Sequence, residues 1–163
     1  LDVGTGSGVI ALSLAARFPE AELHAVDISE EALAQARENA ERLGLTDRVR
    51  FRQSDLLATC EGAFDLIAAN LPYIAAGEAA QLAPEVRHDP PGALFGGPVG
   101  DELIRKLIAA APPHLAAGGR LALEIGHDQA GGLQAFLAEQ NYHDIISKKD
   151  YAGIARFLFA QHG

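Results

Sequence analysis

Residues 1–8 read Leu-Asp-Val-Gly-Thr-Gly-Ser-Gly, and this stretch decides which fold class the sequence predicts. Leu1 and Val3 are typical of a buried strand, and the apolar run at residues 9–12 begins a helix at once after the glycines. Glycines between a strand and a helix let the backbone turn sharply and approach a ligand closely. We therefore predict a ligand-binding loop at residues 4–8.

The rest of the chain alternates short apolar runs with amphipathic stretches, which predicts strand–helix units, a mainly parallel sheet and an α/β fold. We predict helices at 8–17, 30–43, 100–111 and 128–140. We predict seven strands, at 1–3, 22–26, 48–52, 64–69, 119–125, 142–148 and 155–160. Residues 149–153 are too short for a helical crossover, so we expect the last two strands to form an antiparallel hairpin.

Composition limits the classes of protein that this sequence fits. A length of 163 residues with 48% hydrophobic residues predicts one globular domain. The formal net charge of -9 opposes binding to a nucleic-acid backbone. One cysteine excludes an internal disulfide, and no apolar run approaches the ~20 residues that span a bilayer. We expect a cytoplasmic domain with no nucleic-acid or membrane partner.

The histidines do not predict a metal site. Their spacing does not match that of metal ligands, and a single cysteine supplies no thiolate cluster. We expect no metal. The six histidines are His24, His88, His114, His127, His143 and His162.

The spacing of the glycines distinguishes two cofactors. The dinucleotide fingerprint places its third glycine three residues after the second, whereas Gly6 and Gly8 are two apart. This spacing favours S-adenosylmethionine over a nicotinamide cofactor at Gly4, Thr5, Gly6, Ser7 and Gly8. A glycine-rich turn without a ligand remains the alternative.

Two further candidates follow the second and third predicted strands. Asp27 ends the second strand, where a carboxylate can accept both ribose hydroxyls, although it could instead cap the next helix. Asp55 and Leu56 follow the third strand, where they could bind the adenine amine and the adenine ring. An ordinary polar turn is the alternative for this pair.

The fourth strand leads into Asn70, Leu71, Pro72 and Tyr73, which we call the tetrapeptide. A planar amide or amine nitrogen is a poor nucleophile, so an enzyme must hold its N–H groups on acceptors. Asn70 offers a side-chain carbonyl, and Pro72 favours an extended Leu71 whose carbonyl points into the site. Tyr73 offers an aromatic face to the flat target. The alternative is an Asn-x-Pro turn that closes a strand.

Two other features bear on this site. Residues 70–99 are too long and too rich in proline and glycine for a simple connection, so we predict a functional loop with a mobile lid. Glu124 ends a later strand and could face the site, but a strand-end carboxylate with satisfied hydrogen bonds is the preferred interpretation.

These motifs together resemble the release factor glutamine methyltransferase family (PrmC or HemK). Residues 1–12, residues 27–29 and residues 64–74 resemble its first cofactor motif, its second cofactor motif and its catalytic motif. Residues 93–97 and residues 123–129 also resemble that family and are not expected in methyltransferases generally.

The resemblance implies a Rossmann-like class I methyltransferase fold. It implies methylation of the glutamine amide in the Gly-Gly-Gln loop of peptide chain release factors, with S-adenosylhomocysteine as the second product. It places residues 4–8, Asp27 with Ile28, Leu56 and Asn70 at the cofactor, and residues 70–73 at the substrate.

The sequence departs from the family in two respects. Leu71 stands where the family usually has proline, and the form Asn-Leu-Pro-Tyr also marks ribosomal RNA adenine dimethyltransferases. We expect Leu71 to preserve the chemistry, because only its backbone carbonyl is needed. The family also carries an N-terminal helical domain, and we expect that domain and the start of the methyltransferase domain to be absent from residues 1–163.

Two other functions remain open at this point. A nucleic-acid adenine methyltransferase could use the same tetrapeptide, and an inactive paralogue could bind the cofactor without catalysis. The acidic composition argues against the first function. The intact Asn70, Pro72 and Tyr73 argue against the second.

Overall fold

One seven-stranded sheet organises the computed structural model, which describes residues 1–81 and 90–163. The strands are β1 (Asp2–Val3), β2 (Leu23–Asp27), β3 (Val49–Gln53), β4 (Phe64–Ala69), β5 (Ile74–Ala75), β6 (Phe95–Gly97), β7 (Leu115–Glu124), β8 (Tyr142–Lys149) and β9 (Ala155–His162). The helices are α1 (Val9–Arg17), α2 (Glu30–Arg42), α3 (Pro91–Leu94), α4 (Glu102–Ala110) and α5 (Ala130–Glu139). Among the described helices, none is long and apolar enough to cross a membrane.

The order of the strands is β3-β2-β1-β4-β7-β9-β8. Strands β1, β2, β3, β4 and β7 pair in parallel, whereas β9 is antiparallel to both β7 and β8. The predicted α/β class, the seven strands and the C-terminal hairpin are confirmed. The order reverses between β1 and β4, and ligands of open α/β sheets bind outside the carboxyl ends of the strands at such a point.

The core consists of two apolar clusters on opposite faces of the sheet. Ala25 belongs to the smaller cluster with residues of α1, whereas the next residue, Val26, belongs to the larger cluster with residues of α4 and α5. Successive side chains of a strand point to opposite faces, so helices cover both sides. This burial holds the carboxyl ends of the parallel strands at one edge.

Helix α2 shows how local sequence sets an element. The Ser29 side chain accepts a hydrogen bond from the Ala32 backbone N–H at 3.1 Å, and Glu30 and Glu31 lie in the first turn. Both features stabilise the positive end of a helix. The helix ends at Arg42, and Gly44 adopts a φ of 67° beyond it. The predicted helix and cap are confirmed.

The segment predicted as one loop at residues 70–99 contains regular structure. Strands β5 and β6 pair in parallel through Ile74 with Phe95 and Ala75 with Gly97, and a 3-10 helix covers Ala76–Gln81. Strands of two and three residues are too short to show a period in the sequence. Residues 82–89, in the middle of the predicted lid, lie outside the described residues.

Candidate active site

The sequence-predicted site residues converge on one edge of the sheet. Asp27 is the last residue of β2. Directly after β1, β3 and β4 come the glycine loop (residues 4–8), the turn at residues 54–56 and the tetrapeptide. These four strands are parallel neighbours in the order β3-β2-β1-β4, so their carboxyl ends lie side by side. The structure therefore brings the predicted cofactor residues and the tetrapeptide together.

Packing and backbone conformation both require glycine in the loop. Gly4, Gly6 and Gly8 have φ angles of 69°, 55° and 84°, which L side chains rarely adopt. A Cβ atom on Gly4 would lie 2.6 Å from Cδ2 of Leu71, so the glycine loop and the tetrapeptide are in close contact. A Cβ on Gly6 would meet nothing within 4 Å. The loop is thus packed at Gly4 and borders open space at Gly6.

Most backbone N–H groups of this loop are used within the protein. Gly4 and Thr5 donate to the Val26 carbonyl at 2.9 and 3.0 Å, and Gly8 donates to the Thr5 carbonyl at 2.9 Å. Gly6 donates to Oδ2 of Asp27 at 2.8 Å. A pyrophosphate group needs such donors free. The loop therefore suits a cofactor without a pyrophosphate better than a dinucleotide.

Asp27 connects the loop to the start of α2. Its Oδ2 accepts the Gly6 N–H and its Oδ1 accepts the Ser29 N–H at 2.9 Å, while Ser29 itself caps the helix. Each carboxylate oxygen has a second lone pair, and the residue is partly exposed. Asp27 thus keeps acceptor capacity at this edge for a ligand with paired hydroxyls.

Asp2 is a site residue that the sequence analysis missed. Its Oδ2 accepts hydrogen bonds from the Thr5 hydroxyl at 2.6 Å and from the Ala11 N–H at 3.1 Å, so it joins the loop to α1. Only 2% of Asp2 is exposed. Burial raises the pKa of its carboxyl, and the bonds from Thr5 and Ala11 oppose that rise. The sequence did offer a signal for this residue, because Asp2 is a carboxylate between two apolar strand residues, Leu1 and Val3.

The turn after β3 contains a strained residue. Leu56 has a φ of 48° and packs in part against the larger core cluster, whereas Asp55 is exposed. Left-handed backbone at a non-glycine residue is costly and is concentrated at functional sites. Across the edge, Ile28 is 65% exposed, and its carbonyl accepts a bond from the Gln53 side chain at 2.9 Å. Leu56 and Ile28 thus offer apolar surface at this edge.

Asn70 and Leu71 have different environments. Asn70 is exposed, whereas Leu71 is only 5% exposed and belongs to the larger core cluster. The expectation that Leu71 matters only through its carbonyl is therefore incomplete, because its side chain also packs against Gly4. An Asn side chain that closes a turn bonds the N–H two residues later. That residue is Pro72, which has no N–H, so such a turn cannot form here.

Two glycines lie close against the backbone of the tetrapeptide. A Cβ on Gly96 would lie 2.4 Å from the Pro72 carbonyl oxygen, and a Cβ on Gly100 would lie 2.5 Å from the Tyr73 carbonyl oxygen. Neither backbone oxygen can move away as a flexible side chain would. This contact explains why glycine stands at position 96, within the family-like segment at residues 93–97.

Gln129 holds the same backbone from the other side. Its Nε2 donates to the Tyr73 carbonyl at 3.0 Å, and its Oε1 accepts the Gly126 N–H at 2.8 Å. A Cβ on Gly126 would lie 2.9 Å from the Gln129 amide, so a side chain there would displace that amide from its two hydrogen bonds. The family-like segment at residues 123–129 thus contacts the tetrapeptide directly, which the sequence alone did not show.

The ring of Tyr73 is held by charged neighbours. Its hydroxyl donates to Oε1 of Glu124 at 3.4 Å, and the Arg156 guanidinium lies 5.9 Å from its ring centroid. Burial, followed by the nearby Glu124 carboxylate, raises the pKa of the Tyr73 hydroxyl. Glu124 was expected to be a satisfied strand-end carboxylate. It does find a hydrogen-bond partner, and that partner is the tetrapeptide.

The sheet order and this edge define a class I methyltransferase fold, and the comparisons with known proteins agree. A family model described as a methyltransferase domain matches residues 1–89, and the chain belongs to that family. A solved structure of a ribosomal protein L11 methylase from Lactobacillus delbrueckii subsp. bulgaricus is similar, with a TM-score of 0.70 and 28% identity. The similarity covers 99% of this chain and 69% of that one.

Curated relatives confirm the resemblance that the sequence motifs predicted. A release factor glutamine methyltransferase from Deinococcus radiodurans is 44% identical over 99% of this chain and 57% of its own length. A ribosomal protein uL3 glutamine methyltransferase from Bordetella pertussis is 45% identical over 79% of this chain and 44% of its own length. The chain spans about half the length of the curated relatives it matches.

Proposed function

We propose that this chain transfers the methyl group of S-adenosylmethionine to the side-chain amide nitrogen of a protein glutamine, and that the glutamine lies in the Gly-Gly-Gln loop of peptide chain release factors. The contact between the glycine loop and the tetrapeptide carries this proposal, because it sets exposed Asn70 beside the cofactor loop. The curated relatives support the choice of glutamine. Methylation of translation factors also fits a cytoplasmic location for the enzyme.

The residues at the edge fit the cofactor. Asp27 would accept the ribose hydroxyls, and the glycine loop would border the methionine part. Asp55 would accept from the adenine amine, while Ile28 and Leu56 would contact the ring. The bound cofactor supplies an electrophilic methyl group, and S-adenosylhomocysteine is its product.

The chain's own task is to orient a weak nucleophile. An amide nitrogen shares its lone pair with the carbonyl, so its N–H groups must be held while the lone pair faces the methyl group. The Asn70 side-chain carbonyl and the Leu71 backbone carbonyl are the two acceptors we propose. Positioning of this kind supplies much of a rate enhancement without a strong base. The proton leaves the nitrogen after the new N–C bond has formed.

In this proposal the other tetrapeptide residues have matching tasks. Pro72 and Tyr73 have their carbonyls enclosed by Gly96, Gly100 and Gln129, which leaves the backbone little freedom. The Tyr73 ring, held by Glu124 and Arg156, would pack against the flat amide. An enclosed backbone is pre-organised, so its groups need no rearrangement when substrate binds.

Transfer of a labelled methyl group tests the proposal. In three separate reactions, the enzyme and labelled S-adenosylmethionine are incubated with a release factor, with ribosomal protein uL3 or with RNA. We expect label on the glutamine of the Gly-Gly-Gln loop, located by mass spectrometry of the digested release factor. Label on uL3 alone would keep glutamine chemistry and change the substrate. Label on RNA alone would overturn the proposal in favour of an adenine methyltransferase.

A further inference from the structure

The turn between β8 and β9, which we call the hairpin turn (residues 149–153), lies at the same edge of the sheet as the tetrapeptide. Strand β7 ends there at Glu124, which pairs with Phe157 near the start of antiparallel β9. Arg156 links the two regions, because it donates to the Ile125 carbonyl at 3.2 Å and lies beside the Tyr73 ring.

The hairpin turn is internally braced. The Asp150 side chain accepts the N–H groups of Ala152 and Ile154 at 2.9 and 3.0 Å, and its backbone N–H donates to the Ile154 carbonyl at 2.8 Å. Arg156 lies 3.5 Å from the same carboxylate. Gly153 adopts a φ of 82°, which allows the chain to reverse. The bracing fixes the turn before any partner arrives.

Tyr151 stands at the tip of this braced turn. Its relative exposure is 113%, the highest among the described large hydrophobic residues that are exposed, so its ring rests on no other described part of the chain. Rigid exposed aromatic residues on braced loops are the usual anchors of protein–protein contacts, because little conformational entropy is lost on binding.

Charge distinguishes the hairpin turn from the rest of the molecule. Lys149 is the first residue of the turn and Lys148 precedes it; both are exposed, whereas the chain as a whole carries a formal net charge of -9. The Asp150 carboxylate is paired with Arg156, so the lysines dominate the local charge. A partner that docks here would present an apolar pocket for Tyr151 with carboxylates close by.

We propose that the hairpin turn is a docking element for the protein that carries the target glutamine, with Tyr151 as its apolar anchor and Lys149 as its charged contact. The proposal rests on the proposed function and extends it from the glutamine side chain to the surface of the substrate protein. A glutamine held at Asn70 brings the surrounding protein surface to this edge, where the hairpin turn projects beside Arg156 and Tyr73.

Steady-state kinetics of Tyr151→Ala with a folded release factor test this proposal. Loss of an exposed anchor costs binding and leaves the orientation of the amide unchanged. We expect KM for the release factor to rise about fivefold or more, the effect of an interface anchor. We expect kcat and the Kd for S-adenosylmethionine to stay within about twofold of the parent values. Lys149→Ala should raise KM less and should lose its effect at high salt.

Phe18→Ala is the matched control. Phe18 is also an exposed aromatic, at 52%, but it follows the end of α1, the helix that leads away from the glycine loop. We expect its kinetic constants to match those of the parent. Truncation of Tyr151 or of Phe18 should leave the core intact, and thermal unfolding of each variant should confirm this.

The outcomes separate two failures. If the parent enzyme methylates the release factor and Tyr151→Ala leaves KM unchanged, the docking element is wrong and the proposed function stands. If the parent enzyme methylates neither the release factor nor ribosomal protein uL3, the proposed function is wrong and the docking proposal is overturned with it. A variant that loses affinity for RNA but keeps its KM for the protein also contradicts the proposal.

Discussion

The glycine loop and the tetrapeptide lie side by side at one edge of the sheet, but contacts of different range hold them. The loop is held by Asp2 and Asp27, which lie within 21 residues of the groups they bind. The tetrapeptide is held by Glu124 and Gln129, which lie 51 and 56 residues from Tyr73. A binding loop can thus be built from neighbouring sequence, whereas the orienting backbone depends on distant segments.

A large loss of rate should follow when a Cβ is placed against the tetrapeptide. Gly96→Ala puts that atom within 2.1 Å of the Gly100 carbonyl and 2.4 Å of the Pro72 carbonyl, so backbone must shift. A displacement of about 1 Å at a positioning group can cost roughly 100-fold in rate. We expect a loss of that size in single-turnover methylation, with cofactor affinity retained. Circular dichroism should first show that the variant folds.

Gly77→Ala is the control for this substitution. Gly77 lies in the same segment and is exposed, and a Cβ there would meet nothing within 4 Å. We expect the parent rate. Equal rates for Gly96→Ala and the parent would show that the long-range contacts do not fix the tetrapeptide.

More could be predicted from the sequence about the glycine loop than about the surroundings of the tetrapeptide. The glycine loop, Asp27 and the cap at Ser29 could be recognised because each stands at a predicted strand end or helix start and has the residue type expected there. Gly96, Gly100 and Gln129 could not be given a role, because their contacts exist only once the sheet has brought them to Tyr73. Resemblance to a family marked two of the segments that contain them, but gave no reason for their presence.

The kind of sheet could be predicted from the sequence and some details could not. Alternating strands and helices predicted the parallel sheet, and the short connection before β9 predicted the hairpin. Strands β5 and β6 were not predicted, because two or three residues are too few to show the alternation of a strand. Burial of the Leu71 side chain was not predicted either. The prediction considered only hydrogen bonds to the target, and for these only the Leu71 carbonyl is needed.

The next effect concerns the short-range region. Asp27→Ala removes the acceptor of the Gly6 N–H and the proposed ribose contact together. Loss of such charge-assisted hydrogen bonds costs about 1–3 kcal/mol. We expect calorimetry to show cofactor binding weakened by that amount, and Asp27→Asn, which keeps one acceptor oxygen, to be less affected. Unchanged affinity in folded Asp27→Ala would remove Asp27 from the cofactor site.

A smaller effect should follow at Gln129. In Gln129→Glu one carboxylate oxygen can still accept the Gly126 N–H, but the other faces the Tyr73 carbonyl as a second acceptor. Loss of this bond should lower kcat about tenfold, since a buried acceptor left unpaired costs about 1–3 kcal/mol. Gln134→Glu adds the same charge to α5 and is the control. Parallel loss of kcat in both variants would assign the effect to charge rather than to the tetrapeptide.

The smallest effect on rate is expected at Leu71. Leu71→Pro keeps the backbone carbonyl, so the methylation rate should stay within about threefold of the parent. The substitution changes a side chain that is 5% exposed and packs against Gly4, so unfolding should need less free energy, by about 1–2 kcal/mol. Thermal and urea denaturation measure this difference. A large loss of rate without a loss of stability would give the Leu71 side chain a direct part in catalysis.

In the proposed function, Asn70 orients the target amide. Single-turnover methylation of a release factor by Asn70→Ala, with the full-length enzyme and saturating cofactor, is the sharpest test of this role. Loss of one pre-organised contact should slow transfer about 30- to 1,000-fold, or about 2–4 kcal/mol, while the Kd for S-adenosylmethionine changes little. A rate within about threefold of the parent would contradict the claim and leave Asn70 as a residue of the strand end.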